Sequence, residues 1–318
     1  KSTLRQDGRM LTYGEPQGEY ELREVICRYV VNKRNAVCRP ENIIIGAGSQ
    51  ALLNILCPLI KARETVCFHD TRFAQGMVIF EDYGFAVEKD KENASVLYMT
   101  PSHMTSLGDV MSVEKRLALL KECAVHNRLI IEDDYDSEFR WSSRPIPAMQ
   151  GMDRVGRVVY MGTFSRSIAP AIRVAYMILP PALLERYRDT FSHGTCTVSR
   201  FEQESLRRFI VQGLYGRHLR RTGNLYRKKC ALFTGALAEI PGASISGAEA
   251  GLHFLLTLPR YSEEELVKRA AEQSVRVHPL SRYCHAAPPR PSTVVLGFAG
   301  LSGEAIGQAA ARLGEAWA

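Results

Sequence analysis

The stretch Arg128-Leu-Ile-Ile-Glu-Asp-Asp-Tyr-Asp136 decides how the rest of the chain is read. Its first half is a short apolar run of the kind that forms a buried strand. Its second half sets Glu132, Asp133, Asp134 and Asp136, with the phenol of Tyr135 among them, at the carboxyl end of that strand. Carboxylates this close repel one another unless some of them meet cations. The cluster is therefore either a binding site or an acidic loop that caps a helix or holds a metal.

Working outward, short β-branched runs alternate with helical patterns on both sides of this stretch. Strands are expected at 42–45, 64–68, 85–88, 95–99, 128–131, 157–161 and 174–179, with helices over about 50–59 and 112–127. Such alternation predicts an α/β fold with a mostly parallel sheet covered by helices on both faces. Ligands of such sheets bind outside the carboxyl ends of the strands, where the acidic cluster falls. From about Glu202 a long basic helical stretch is expected to run to Ile240. A strand at 251–258, a helix at 262–273, strands at 275–279 and 293–298 and a helix at 302–317 follow. The reading divides the chain into a large domain, 1–215, and a linking helix with a small C-terminal α/β domain, 216–318.

Composition excludes several classes. At 318 residues the chain can bury a sizeable core. No run approaches the 18 or so apolar residues of a membrane span, and no signal-peptide core opens the sequence, so a cytoplasmic chain without membrane contact is expected. The eight cysteines are scattered singly and read as reduced, structural thiols. His69, His126, His193, His218, His253, His278 and His285 show no metal-ligand spacing. The net charge of +7 gathers partly in Arg217, Arg220, Arg221, Arg227, Lys228 and Lys229. A solvated helix face explains that cluster as well as a nucleic-acid contact does, and no DNA-binding signature accompanies it.

Two further clusters follow strands. Gly46-Ala-Gly48-Ser49-Gln50 joins a strand to a helix, where free N–H groups can hold a phosphate. It also nearly matches the dinucleotide fingerprint, and Asp70 lies where a ribose-binding acid would be expected, so an NAD-dependent dehydrogenase is a rival reading. Gly162-Thr-Phe-Ser-Arg166, followed by Arg173, offers hydroxyls and a guanidinium suited to a phosphate. A dehydrogenase has no use for this second anion site. A carboxylate in the acidic cluster can pair with a protonated pyridine nitrogen, as pyridoxal 5'-phosphate (PLP) chemistry requires.

Tyr13-Gly-Glu-Pro-Gln-Gly18, Ile45-Gly-Ala-Gly-Ser-Gln50, Thr100-Pro-Ser-His103, Ile131 to Phe139 and Tyr160-Met-Gly-Thr-Phe-Ser165 occur in this order. Together they closely resemble the aminotransferase-like domain of MocR-type regulators, a branch of the GntR superfamily, over about residues 11–301. The resemblance implies a fold-type I PLP-dependent transferase fold, usually dimeric. It implies that Gly48, Ser49 and Gln50 hold a phosphate together with Thr163, Ser165 and Arg173. It further implies that Asp133 pairs with the pyridine nitrogen, that Tyr135 and His103 lie near the 3'-oxygen, and that Phe73 stacks on the ring.

The departures from the family pattern carry as much weight. Arg166 stands where the family has its Schiff-base lysine, and a guanidinium offers no free amine. Gly300 stands where the family's Gly-Phe-Ala-Arg provides an arginine for an amino acid's carboxylate, and Gln75 replaces another such arginine, with Arg72 nearby. No catalytic residue is therefore expected, and PLP, if held, is held without a covalent bond. The leading reading is a ligand-sensing effector domain of a homodimeric transcriptional regulator, with a small-molecule effector. Its DNA contact would come through an upstream winged helix-turn-helix absent from this chain. The alternatives are an aminotransferase carrying an engineered lysine-to-arginine substitution and, more remotely, the dehydrogenase.

Overall fold

Glu132, Asp133 and Asp134 of the acidic run lie inside a strand rather than beyond one. The structure, a computed structural model, describes residues 8–69, 73–102, 110–135, 137–140, 146–283 and 290–318. The large sheet contains β1 (Ile43–Gly46), β2 (Thr65–Phe68), β3 (Ala86–Glu88), β4 (Val96–Met99), β5 (Leu129–Asp134), β6 (Val158–Thr163) and β7 (Ala175–Ile178). Their order is β1-β7-β6-β5-β4-β2-β3. The pairs from β3 to β6 are parallel, while β7 runs antiparallel to both β6 and β1. The carboxyl ends of β1, β4, β5 and β6, and the amino end of β7, therefore share one edge of the sheet.

Helices cover both faces, as the alternation predicts. Helices α1 (Tyr20–Arg34), α2 (Ser49–Ile60), α3 (Ala74–Asp82), α4 (Val113–Val125), α5 (Met149–Met152), α6 (Pro181–Phe191) and α7 (Arg200–Val211) belong to this layer system. On one face Ile44, Val66, Val96, Ile131, Val159 and Met177 pack against Leu52, Leu56, Phe80 and Leu184 from α2, α3 and α6. On the other, Ile43, Ile45 and Ile178 meet Leu22, Ile26 and Leu206 of α1 and α7, and Leu97, Ile130 and Val158 meet Leu119, Leu120 and Met149 of α4 and α5. Strands buried on both faces read as unbroken apolar runs, which is how Ile43-Ile-Ile45 reads.

The single basic helix expected from about Glu202 to Ile240 is two helices. Gly213 takes a left-handed backbone (φ 69°) and separates α7 from α8 (Leu214–Leu237). Tyr215 and Leu219 at the start of α8 pack into the large-sheet core. Cys230, Phe233 and Leu237 at its end pack into a second core. That core lies against an antiparallel sheet of β8 (Ser244–Ser246), β9 (His253–Thr257), β10 (His278–Pro279) and β11 (Thr293–Gly297), ordered β10-β11-β9-β8. Helices α9 (Glu263–Glu272) and α10 (Gly303–Ala316) complete it, with the fully buried Trp317 donating to the carbonyl of Leu266 at 3.1 Å. The strand expected at 275–279 shrinks to its last two residues.

Two buried arginines hold the end of β5. Glu132 accepts the backbone N–H groups of Met149 and Gln150, each at 2.9 Å, and lies 3.5 Å from Arg116. Arg116 in turn donates to the carbonyls of Met111, Pro147 and Pro101. Asp134 accepts Arg34 Nε and the phenol of Tyr160, both at 2.6 Å. Burial alone would raise the Asp134 carboxyl, but Arg34 and these hydrogen bonds hold it below the usual carboxylate range. Glu138 forms no ion pair among the described residues, and Arg34 only partly offsets its burial. Burial first, and the Asp134 charge second, push its carboxyl up to about 8. One oxygen accepts the Tyr29 phenol at 3.1 Å, and Oε2 is buried without a hydrogen bond.

This arrangement has a measurable pH signature. Between its ordinary value of 4.5 and about 8 the Glu138 carboxyl binds its proton more tightly in the folded chain than in the unfolded one. Its contribution to stability is therefore present at the acid end of that window and is lost as pH rises through it. Tm measured across the window should fall less steeply for Glu138→Gln than for the wild type. Equal slopes for the two proteins would refute the assignment.

Candidate functional site

At the shared strand edge lies a cavity of about 300 Å³, lined by Gly48, Ser49, Gln50, Phe73, Tyr98, Thr100, Asp133, Tyr135, Thr163, Ser165, Arg166 and Arg173. Every site residue named from the sequence that falls among the described residues is on this wall. His103 lies outside the described residues, as do Asp70, Arg72 and Asp136.

One end of the cavity is built for an anion. Gly48 caps α2 with φ 85° and ψ 171°, and the first N–H groups of a helix have no acceptor within it. The glycine is required twice over. Its φ is one that side chains rarely adopt, and a Cβ there would sit 2.6 Å from Arg173 Nη2. Arg173 itself takes a left-handed backbone (φ 48°) between a short 3-10 turn and β7, so its guanidinium reaches back over the α2 terminus. From the other side the turn after β6 brings Thr163 and Ser165. The Thr163 hydroxyl accepts the Ser165 N–H at 3.1 Å, while Ser165 Oγ is buried with no partner among the described residues. An orphaned hydroxyl, two helix-start N–H groups and a guanidinium around one glycine fit a phosphate group.

The other end is aromatic and carries the carboxylate. Alternation along β5 turns Glu132 and Asp134 away and leaves Asp133 facing the cavity, where the Tyr98 phenol donates to it at 2.6 Å. Tyr98 stacks on Phe68, with ring centroids 4.7 Å apart, and Phe73 leans against it at 5.7 Å. Arg166 extends along the wall with its guanidinium 5.6 Å from the centre of the Tyr135 ring. The backbone beneath Arg166 is fixed by α8. Tyr215 donates to the buried Ser167 hydroxyl at 2.9 Å, and a ring nitrogen of His218 lies 2.7 Å from the Ser167 carbonyl.

Tyr98 and Thr100 were not among the expected site residues. The register exposes the signal. Parallel pairing sets Met99 beside Glu132, so Thr100 flanks Asp133 and Tyr98 lies on the same face. Pairing of two distant strands is not readable from either strand alone. Gln75 and Gly300, expected at altered carboxylate-binding positions, are both exposed and do not line the cavity.

A scan against models of protein families gives no match. Among solved structures, the chain superposes on the kynurenine aminotransferase of Pyrococcus horikoshii with a TM-score of 0.82, covering 99% of this chain and 84% of that one at 22% identity. The fold is therefore that of the fold-type I aminotransferases. In sequence the chain is 39% identical to the uncharacterized HTH-type transcriptional regulator YdeL of Bacillus subtilis, covering 96% of this chain and 69% of the relative. It is 32% identical to the probable rhizopine catabolism regulatory protein MocR of Rhizobium meliloti, covering 89% and 61%. The chain belongs to this family of MocR-type HTH transcriptional regulators.

The double requirement at Gly48 is testable. Gly84 has a similar φ of 82° with open space where a Cβ would go. Gly84→Ala should therefore show backbone strain alone, on the order of 1–3 kcal/mol. Gly48→Ala should lose more stability in urea melts, because Arg173 must move as well. A smaller loss at Gly48 than at Gly84 would contradict the geometry.

Proposed function

We propose that this chain is the ligand-sensing domain of a transcriptional regulator, an aminotransferase-like cavity that takes up PLP without covalent attachment and performs little or no transamination. The observation that carries this reading is the convergence of a phosphate-fitting end, Asp133 and flanking aromatics on one cavity whose attachment position holds Arg166. In this reading Ser49, Gln50, Thr163, Ser165 and Arg173 bind the phosphate. Asp133, oriented by Tyr98, accepts the pyridine N–H, Tyr135 meets the 3'-oxygen and Phe73 covers the ring.

When bound covalently to its substrate, PLP supplies an electron sink for carbanion chemistry. The residues here bind and orient, but the Arg166 guanidinium provides no nucleophilic amine. The exposed Gly300 brings no guanidinium to an amino acid's carboxylate. The reading further assigns a small-molecule effector to this domain and DNA contact to a segment outside it. The family's HTH-type name supports this division, as does the chain's coverage of 69% and 61% of the two relatives described above.

Calorimetry with PLP, followed by borohydride reduction and mass analysis, tests the proposal. This chain should bind PLP with no trapped mass adduct at position 166, and Arg166→Lys should bind it and gain one adduct there. Absence of binding in both proteins would overturn the cofactor assignment. Transamination by the unaltered chain across an amino-acid panel would overturn the non-catalytic part.

A further inference from the structure

Replacement of a lysine by Arg166 removes an amine, and it also adds a permanent cation to the cavity wall. Two guanidiniums line the cavity, those of Arg166 and Arg173, and neither has a carboxylate partner among the described residues. The one carboxylate among the described lining residues, Asp133, accepts the Tyr98 phenol and lies at the ring end. Arg173 and the α2 terminus form one anion subsite around Gly48. Arg166, lying over the Tyr135 ring, forms a second.

A ring phosphate satisfies the first subsite only. A ligand that fills the cavity also presents a group to the guanidinium at the second, and a matching anion there adds charge-assisted hydrogen bonds that a neutral or cationic group does not. On a PLP-type ring the group at position 4 lies between the 3-oxygen and the phosphomethyl arm. With Tyr135 at the oxygen and Arg173 at the phosphate, position 4 is the one that Arg166 addresses. An aldehyde there gives the guanidinium a weak acceptor, and an aminomethyl group gives it a like charge. A carboxylate gives it two parallel charge-assisted hydrogen bonds in the fork geometry that arginine provides and lysine does not.

We infer that the cavity selects an aromatic phosphate monoester bearing a carboxylate beside its ring oxygen, the acid oxidation state of the PLP skeleton, with Arg166 as the specificity-determining residue. The inference rests on the reading that a PLP-type ring occupies this cavity, and it changes which member of that class is the preferred ligand. Arg166 then acts as a selectivity element for the oxidised ligand, and its arginine identity is the functional feature rather than only a lost lysine. Arg166 is exposed and, among the described residues, its guanidinium meets the Tyr135 ring without a hydrogen bond or ion pair, so replacing it leaves the fold intact.

The test is calorimetric titration of this chain and its Arg166→Gln variant with 4-pyridoxic acid 5'-phosphate, PLP and pyridoxamine 5'-phosphate. The acid should bind this chain roughly tenfold or more tightly than either other compound, the scale expected for charge-assisted hydrogen bonds to a carboxylate. Arg166→Gln should erase that preference while still binding all three. Equal affinities in the unaltered chain would overturn the carboxylate selection and leave the ring-phosphate reading standing. A preference that survives in Arg166→Gln would overturn the role of Arg166. Failure of all three to bind would overturn both the inference and the reading beneath it.

Discussion

Arg34 and Arg116 lie buried under the end of a strand that finishes in three consecutive carboxylates. Without cations, Glu132 and Asp134 could not both stay ionised inside the protein, because each unpaired buried charge costs several kcal/mol. The arginines do more than neutralise. Arg116 also binds the carbonyls of Pro101 and Pro147, and Arg34 binds the Ser102 hydroxyl and the carbonyl of Ile146. Each therefore ties the segment after β4 and the segment before α5 to the same strand end. The floor of the cavity is held by these two nodes, and strand alternation leaves Asp133 between them, facing the other way. The position of that carboxylate is a consequence of what happens to its two neighbours.

Much of this was legible in the sequence, for identifiable reasons. Apolar runs such as Ile43-Ile-Ile45 and Val158-Val-Tyr-Met161 bury on both faces and carry a strong local signal. The glycine turn and the Thr163–Arg166 turn directly follow strands, and they converge at one sheet edge because β1 and β6 point the same way across the antiparallel β7. What was not legible depends on pairing. Tyr98 and Thr100 join the site only through the register of β4 against β5. The strand was read as ending at Ile131 because charged residues seldom lie inside a sheet, and partners such as Arg34 are distant in sequence. Helix α1 passed unread although Leu22, Val25, Ile26 and Val30 repeat at helical spacing. Gly213 was absorbed into a helical stretch because its positive φ is a property of the fold.

The site combines retention with loss. A phosphate-fitting cradle persists down to a glycine whose Cβ would displace Arg173 and a serine hydroxyl without a partner among the described residues. Arg166 on the same cavity wall is a group whose chemistry is binding rather than nucleophilic attack. For a domain in a family of transcriptional regulators this combination is coherent. In the proposed reading, sensing needs a ligand to be held and released, and a tether would slow release. The ties from α8 to Ser167, through Tyr215 and His218, connect the Arg166 turn to the helix that spans both cores. They give the cavity a direct mechanical link to the second sheet.

The central claim is that an aromatic phosphate enters this cavity phosphate-first, against Gly48 and Arg173, and stays without a covalent bond. Phosphorus NMR of PLP titrated with this chain addresses it most directly. The account predicts a shifted phosphate resonance that returns to the free position when excess inorganic phosphate competes, and that is lost in Arg173→Gln. A resonance that stays at its free position in the presence of excess protein would contradict it.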